Sequence, residues 1–214
     1  MSASIPRLGR ERASAAVVLF AALLLAGGCK KKDEAFELMK PPVNAQSLQR
    51  YWTVPDFQLI ERSGQPVSHA DLRGKVWVAD FFYTTCPGPC PMLTSRLSEL
   101  QAATSKLPAV RLISISTDPA KDTPEVLKKY AEKFEAGENW LFLTGKKETI
   151  FDLANKGFKL AVVEDGTVEE PITHSTKLVL VDQTGMIRGF YEGVGEGNTQ
   201  SLVADIERLL RERP

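Results

Sequence analysis

An α/β fold built on a mixed sheet with helices on both faces is what this sequence predicts, and three observations predict it. From about residue 51 onward, apolar runs of strand length alternate with segments of helical periodicity. The run Val76–Tyr83 is apolar throughout except for Asp80, the pattern of a strand buried on both faces. Near the C-terminus, Lys177–Val181 and Met186–Tyr191 flank Thr184-Gly185, which reads as a hairpin and adds antiparallel pairing to an otherwise alternating β-α order.

Taken in order, Phe57-Gln58-Leu59-Ile60 before Ser63-Gly64-Gln65 predicts a short opening hairpin, an N-terminal extension of the sheet. After the Val76 strand, Leu93, Leu97 and Leu100 fall at helical spacing within Met92–Ala102, and Val110–Ile115 is the next strand. Asp122-Thr123-Pro124-Glu125 combines a capping residue, a first-turn proline and an early acid, so a helix starts there and runs to about Phe134. Trp140–Leu143 is strand, Lys146–Asn155 is helix closed by Gly157, Phe158–Val163 is a hairpin arm, and Thr199–Leu210 is the last helix. The resulting β-α-β-α-β-α-β-β-α order requires crossovers on both faces of one sheet.

The N-terminus belongs to a different reading. Arg7, Arg10 and Arg12 precede an apolar run from Ala13 to Leu25, too short for the ~20 residues of a spanning helix. Leu25-Ala26-Gly27-Gly28-Cys29 then resembles a bacterial lipoprotein signal, which implies that residues 1–28 are removed and that Cys29 carries lipid. An uncleaved anchor with a free Cys29 is the alternative, and either exports the domain. Residues 29–50 are polar, include Pro41-Pro42 and read as a tether, leaving 51–214 as the folded domain. The expected location is the periplasmic side of a bacterial membrane. A formal net charge of zero argues against nucleic acid as a partner.

Three cysteines are present, and beyond Cys29 the pair Cys86 and Cys90 remains. A bridge over three residues would remove little chain entropy, so the pair reads as chemical rather than structural. Cys86-Pro87-Gly88-Pro89-Cys90-Pro91 joins a buried strand to a helix that Pro91 can open, and the helix dipole there favours thiolate. Thiolates select soft ions, and two alone leave Zn short of its usual four ligands, whereas Cu(I) accepts two or three. Of the two histidines, His69 lies in a polar turn and reads as a surface residue. His174, directly before a buried strand, is on position alone as readily a ligand as a satisfied loop residue. Asp80 is either a buried proton relay for thiol chemistry or an acid that escapes to a sheet edge or pairs with a lysine.

In combination these motifs resemble the Sco (SenC) family of thioredoxin-like copper proteins. The likeness runs from Pro55-Asp56-Phe57 through Arg73-Gly74-Lys75 and Phe81-Phe82-Tyr83-Thr84-Thr85-Cys86 to Cys90-Pro91. It continues at Ser116-Thr117-Asp118-Pro119, Asp122-Thr123-Pro124, His174-Ser175 and Asp182-Gln183-Thr184-Gly185, while Pro87-Gly88-Pro89 departs from the more polar spacer of relatives. The resemblance implies a thioredoxin-like fold and copper, as Cu(I), Cu(II) or both, on Cys86, Cys90 and His174. It also implies a role in assembling the copper centre of cytochrome c oxidase, with an oxidase subunit as acceptor. Asp118 is the candidate for orienting the His174 ring, against a simple role in capping backbone. The competing function is a thiol–disulfide oxidoreductase using Cys86 and Cys90 on partner cysteines. A peroxiredoxin-like peroxidase is disfavoured, because Tyr83 stands where such enzymes place threonine.

Overall fold

The computed structural model describes residues 48–167, 171–195 and 199–212. The expected signal segment, Cys29 and the tether up to residue 47 lie outside the described residues. Among the described residues no helix is long and apolar enough to cross a membrane.

The opening hairpin pairs β1 (Gln58–Glu61) with β2 (Pro66–Ser68) around Gly64, whose φ of 83° suits the turn. β3 (Val76–Phe82) is buried along its whole length and leads through the cysteine loop into α1 (Cys90–Ala103). Two parallel crossovers follow: β4 (Val110–Ser116), α2 (Pro124–Lys133) and β5 (Trp140–Thr144). Helix α3 (Lys147–Asp152) continues as a π-helical turn, Leu153–Phe158. A two-residue ribbon, β6 (Val162–Val163) with β7 (Thr173–His174), precedes the hairpin β8 (Lys177–Val181) and β9 (Ile187–Glu192), and α4 (Thr199–Arg211) closes the chain. The seven-stranded sheet has the order β2-β1-β5-β4-β3-β8-β9, with β6-β7 forming a separate small sheet. β3 pairs in parallel with β4 and antiparallel with β8, so the sheet is mixed.

Strand alternation assigns the two faces of β3. Trp77, Ala79 and Phe81 point one way, where Phe158 of the π turn sits edge-on to Trp77 and Phe81 at 6.0 and 5.4 Å. Val78, Asp80 and Phe82 point the other way, where Tyr130 of α2 lies 5.3 Å from Phe82. Thr94 of α1 shares a 2.9 Å hydroxyl bond with Tyr130, which puts α1 and α2 together on that face. Helices therefore cover both faces. Burying Phe81, Phe82 and Phe158 stabilises the layers by about 1.5–3 kcal/mol each.

Several boundaries differ from the sequence reading, each for a local reason. α1 begins at Cys90, because Pro89 already has helical φ and ψ. The third helix does not stop at Gly157: it widens, and Lys159 in the left-handed conformation ends it. Gly157 is needed there, since a Cβ would meet Pro55 at 3.0 Å and the Gly157 carbonyl accepts Trp52 Nε1 at 2.7 Å. That winding takes Phe158 and its cap Lys159 from the expected arm Phe158–Val163, whose strand is reduced to Val162–Val163. His69 is buried rather than on the surface, stacked on Phe57 and bonded through Nδ1 to Asp56 at 3.2 Å. Gly185, at φ 85°, packs so closely that a Cβ would fall 2.3 Å from His69 Nε2.

One ionic cluster ties the ends of the domain together. The Arg188 side chain, 1% exposed, donates to Asp182 at 3.0 Å and Glu212 at 2.7 Å, and to the carbonyls of Leu48 and Gln49 at 2.9 and 3.1 Å. Burial alone would raise the Asp182 carboxyl, but donors from Thr184, Met186 and Arg188 outweigh it and hold it below its usual range. Arg188→Ala leaves that carboxylate without its buried cation, and the expected loss of stability is about 3–5 kcal/mol, read from urea unfolding.

Candidate metal centre

The cysteine loop is fixed before any ligand arrives. It leaves β3 at Phe82 and turns through Cys86, whose amide donates to the Tyr83 carbonyl at 3.2 Å. The loop then enters α1, with Pro89 as the N-cap and Pro91 in the first turn. Both thiols are free and buried, Cys86 at 7% exposure and Cys90 at 1%. Behind the loop lies the carboxylate of Asp122, which is fully buried. It accepts the Thr84 amide at 3.0 Å, the Thr84 hydroxyl at 2.5 Å and the Ser116 hydroxyl at 2.5 Å. The sequence reading placed Asp122 in the helix-start signal, whereas Thr123 is the capping residue, its hydroxyl accepting the Val126 amide. A signal for the true role existed: Thr84 and Ser116 stand just beyond or at the C-terminal ends of adjacent parallel strands, where their hydroxyls need a buried acceptor.

His174 arrives from the small ribbon. Its Nδ1 lies 3.0 Å from the Ser175 carbonyl, a contact that requires Nδ1–H and leaves Nε2 as a lone pair. That Nε2 is 3.1 Å from the Cys90 sulfur. Cys86 Sγ, Cys90 Sγ and a ring nitrogen of His174 all lie within 4.8 Å of one another. Ion–sulfur bonds of roughly 2.3 Å and ion–nitrogen bonds of roughly 2.0 Å place neighbouring donors about 3–4 Å apart, so the three fit around one soft ion with little movement. The ring of Tyr83 stands edge-on to the imidazole at 5.7 Å. An open cleft lined by Cys86, Pro89, Ile172, Thr173 and His174, among others, gives access from solvent.

Charge in this pocket is governed by burial. Desolvation pushes the Cys90 thiol well up, and its bond with Cys86 and the neighbouring Asp80 push the same way. The helix dipole, worth about 0.3–1 kcal/mol at exposed sites, does not overcome this, contrary to the thiolate expected from sequence.

Asp80 is 1% exposed. One oxygen accepts the Ser114 hydroxyl at 2.6 Å, and the same hydroxyl accepts Trp140 Nε1 at 2.9 Å. The other carboxylate oxygen has no hydrogen-bond partner among the described residues. Burial raises Asp80 to about 7, with the Ser114 bond pulling weakly against it. The sheet-edge alternative does not hold, since β3 is flanked by β4 and β8. Asp118 sits in the turn after β4: its carbonyl accepts the amides of Lys121 and Asp122, and its carboxylate pairs with Lys121 at 3.3 Å. The observed partner of the His174 Nδ1 is a backbone carbonyl, a hydrogen-bond acceptor that sequence cannot advertise.

A thioredoxin-like fold with two thiols at a strand–helix junction and an imidazole closing on them defines a class of thiol proteins equipped for soft metals. Comparison with known proteins narrows it. Residues 45–211 match the SCO1/SenC family model, and the chain belongs to that family. A SCO1/SenC family lipoprotein from Bacillus anthracis is 33% identical and superposes with a TM-score of 0.72, covering 77% of this chain and 99% of its own. BsSco is described as a member of the Sco family of cytochrome c oxidase assembly proteins and as having a disulfide switch. It is 32% identical with a TM-score of 0.70, over 78% of this chain and 100% of its own. ScoI of Bradyrhizobium japonicum, with copper bound, is 27% identical with a TM-score of 0.65, over 74% and 99%.

Two outcomes follow from this geometry. Asp122→Ala should cost about 2–4 kcal/mol, because the Thr84 amide loses its buried acceptor, and should speed the reaction of Cys86 with thiol reagents. For Asp80, the folded pKa of about 7 lies above the unfolded value of 3.8. Its contribution to stability is therefore complete below about pH 4 and is lost as pH rises through about 7. Asp80→Asn should remove that decline, leaving the variant more stable than the parent by about 2–4 kcal/mol at pH 8.5, measured by urea midpoints across the pH range.

Proposed function

We propose that this chain is a copper-binding assembly factor acting outside the cytoplasm of a bacterium. Copper is its cargo, held by Cys86, Cys90 and His174 and passed to an acceptor such as a cytochrome c oxidase subunit. The observation that carries this reading is the convergence of two sulfurs and one imidazole nitrogen within 4.8 Å, with the Nε2 lone pair turned toward the thiols. Two sulfurs and one nitrogen satisfy the low coordination number of Cu(I) and leave Zn short of a tetrahedral shell. The copper bound by the B. japonicum relative and the oxidase-assembly role given to the family of BsSco support the same assignment. Copper binds deprotonated ligands, so protons compete for the same donors and affinity falls as pH drops.

Residues 1–28 serve in this reading as a lipoprotein signal, and lipid on Cys29 holds the domain at the periplasmic side of a membrane. The Leu25–Cys29 pattern and the lipoprotein nature of the B. anthracis relative support the anchor.

Thiol–disulfide exchange is a second reading, favoured by the two free cysteines packed around one loop and by the raised carboxyl of Asp80 on the same face of the sheet. The disulfide switch of BsSco is in keeping with it. The imidazole discriminates between the two, because exchange needs only sulfur. His174→Ala should weaken copper binding at least tenfold in competition titrations, while the rate of disulfide exchange stays within about twofold of the parent. Unchanged copper affinity would remove the histidine from the site and leave exchange as the better account.

A further inference from the structure

His174 is not carried by the central sheet. It lies on β7, a two-residue strand whose partner is β6, and the pair forms a sheet of its own. Something must therefore fix this ribbon to the body if the imidazole is to meet sulfurs that the main sheet positions. The residue opposite His174 in the ribbon is Val162. Its side chain is buried at 1% exposure. Its main chain faces away from β7: the Val162 amide donates to Asn155 Oδ1 at 3.0 Å, and Asn155 Nδ2 donates to the Val162 carbonyl at 3.0 Å. The pair Val162–His174 is thus the non-hydrogen-bonded kind, in which facing side chains stand closest. The adjoining ladder bond runs from the Ser175 amide to the Ala161 carbonyl at 3.1 Å.

The carboxamide of Asn155 acts on β6 as a neighbouring strand would, offering one donor and one acceptor to a single residue's backbone. Asn155 itself belongs to the π turn, a winding that is rare and recurs at functional sites. That turn is pinned by Phe158, which packs against Trp77 and Phe81 of the strand leading to the cysteine loop. A continuous path therefore connects the two halves of the site, from β3 through Phe158 to the π turn, and on through Asn155 and Val162 to His174.

We infer that Asn155 is a positioning residue for the imidazole: its two bonds to Val162 hold the His174 ribbon in register with the thiols. This rests on the reading of His174 as a metal donor, and the test separates the two. Four full-length proteins are compared, the parent, Asn155→Ala, Asn155→Asp and His174→Ala. Amide exchange is followed in the metal-free state, and nitrogen coupling in the electron paramagnetic spectrum and affinity after loading with Cu(II). For Asn155→Ala, exchange at Val162 and Ser175 should quicken at least tenfold while β3 and β4 amides keep parental rates. Its nitrogen coupling should weaken toward that of His174→Ala, with affinity falling three- to tenfold. Asn155→Asp keeps an acceptor for the Val162 amide but loses the donor to its carbonyl, so it should lie between parent and alanine variant, and it carries the test if the alanine variant does not fold.

Parental exchange at Val162 in both variants would overturn the inference. So would quickening spread equally over β3 and β4, or a full nitrogen signal with parental affinity despite faster local exchange. If His174→Ala itself retains the nitrogen coupling and the affinity, the metal reading fails instead, and the exchange data still decide whether Asn155 holds the ribbon.

Discussion

The site depends on closing a gap of 84 residues along the chain, from Cys90 to His174, with two structural units that are not one sheet. Hydrophobic burial can press such units together but cannot set a donor atom to within a fraction of an ångström, because it is non-directional. Directional bonds do that here. On the thiol side a fully buried carboxylate, Asp122, takes three hydrogen bonds from Thr84 and Ser116, and on the imidazole side the Ser175 carbonyl fixes the ring tautomer. Each anchor is enforced by the cost of leaving a buried polar group unpaired, about 1–3 kcal/mol and more for a charge, so a displaced loop is penalised at once.

The same burial decides the charge state of the pocket. Cys90 is almost wholly shielded from water, and Asp80, on the face of β3 that α1 covers, has one oxygen without a hydrogen-bond partner among the described residues. Both groups resist ionisation, and an ionised Asp80 opposes a thiolate at Cys90. A helix terminus adds too little to reverse this. What can make two thiolates tolerable in such a place is a cation, which brings its own charge and exchanges the lost hydration for direct bonds. Burial of Cys90 and Asp80 thus disfavours added negative charge until a cation is there to offset it.

Strand positions were legible in the sequence because a strand buried on both faces leaves an unbroken apolar run, and Val76–Phe82 is that run. The Cys86–Cys90 loop was legible for a similar reason: prolines and sulfurs at a strand–helix junction have few other uses. The rest was hidden by context. His69 sits among polar neighbours and looked superficial, yet the 3-10 turn His69–Leu72 rotates it inward onto Phe57, and Gly185, distant in sequence, makes the room. Asp122 was absorbed into the helix-start signal because Thr123 and Pro124, the cap and the first helical residue, follow it directly. The π turn has no compositional signature at all, since its winding answers to the packing of Gly157 against Pro55 and the claim of Trp52 on a carbonyl.

That hidden turn bears on how the three donors are divided between two units of the fold. The thiols belong to a rigid frame, with the loop between β3 and α1 clamped from behind, so their mutual geometry survives whatever the ribbon does. The imidazole belongs to a two-residue strand pair that lies outside the central sheet. Withdrawal of the ribbon would subtract one nitrogen from a bound ion and leave two sulfurs, a poorer donor set from which a soft metal leaves more readily for a better one. Separation of the donors into a pair held by the loop between β3 and α1 and a third carried by the β6–β7 ribbon means that the three-donor set is complete only when the two units are in register.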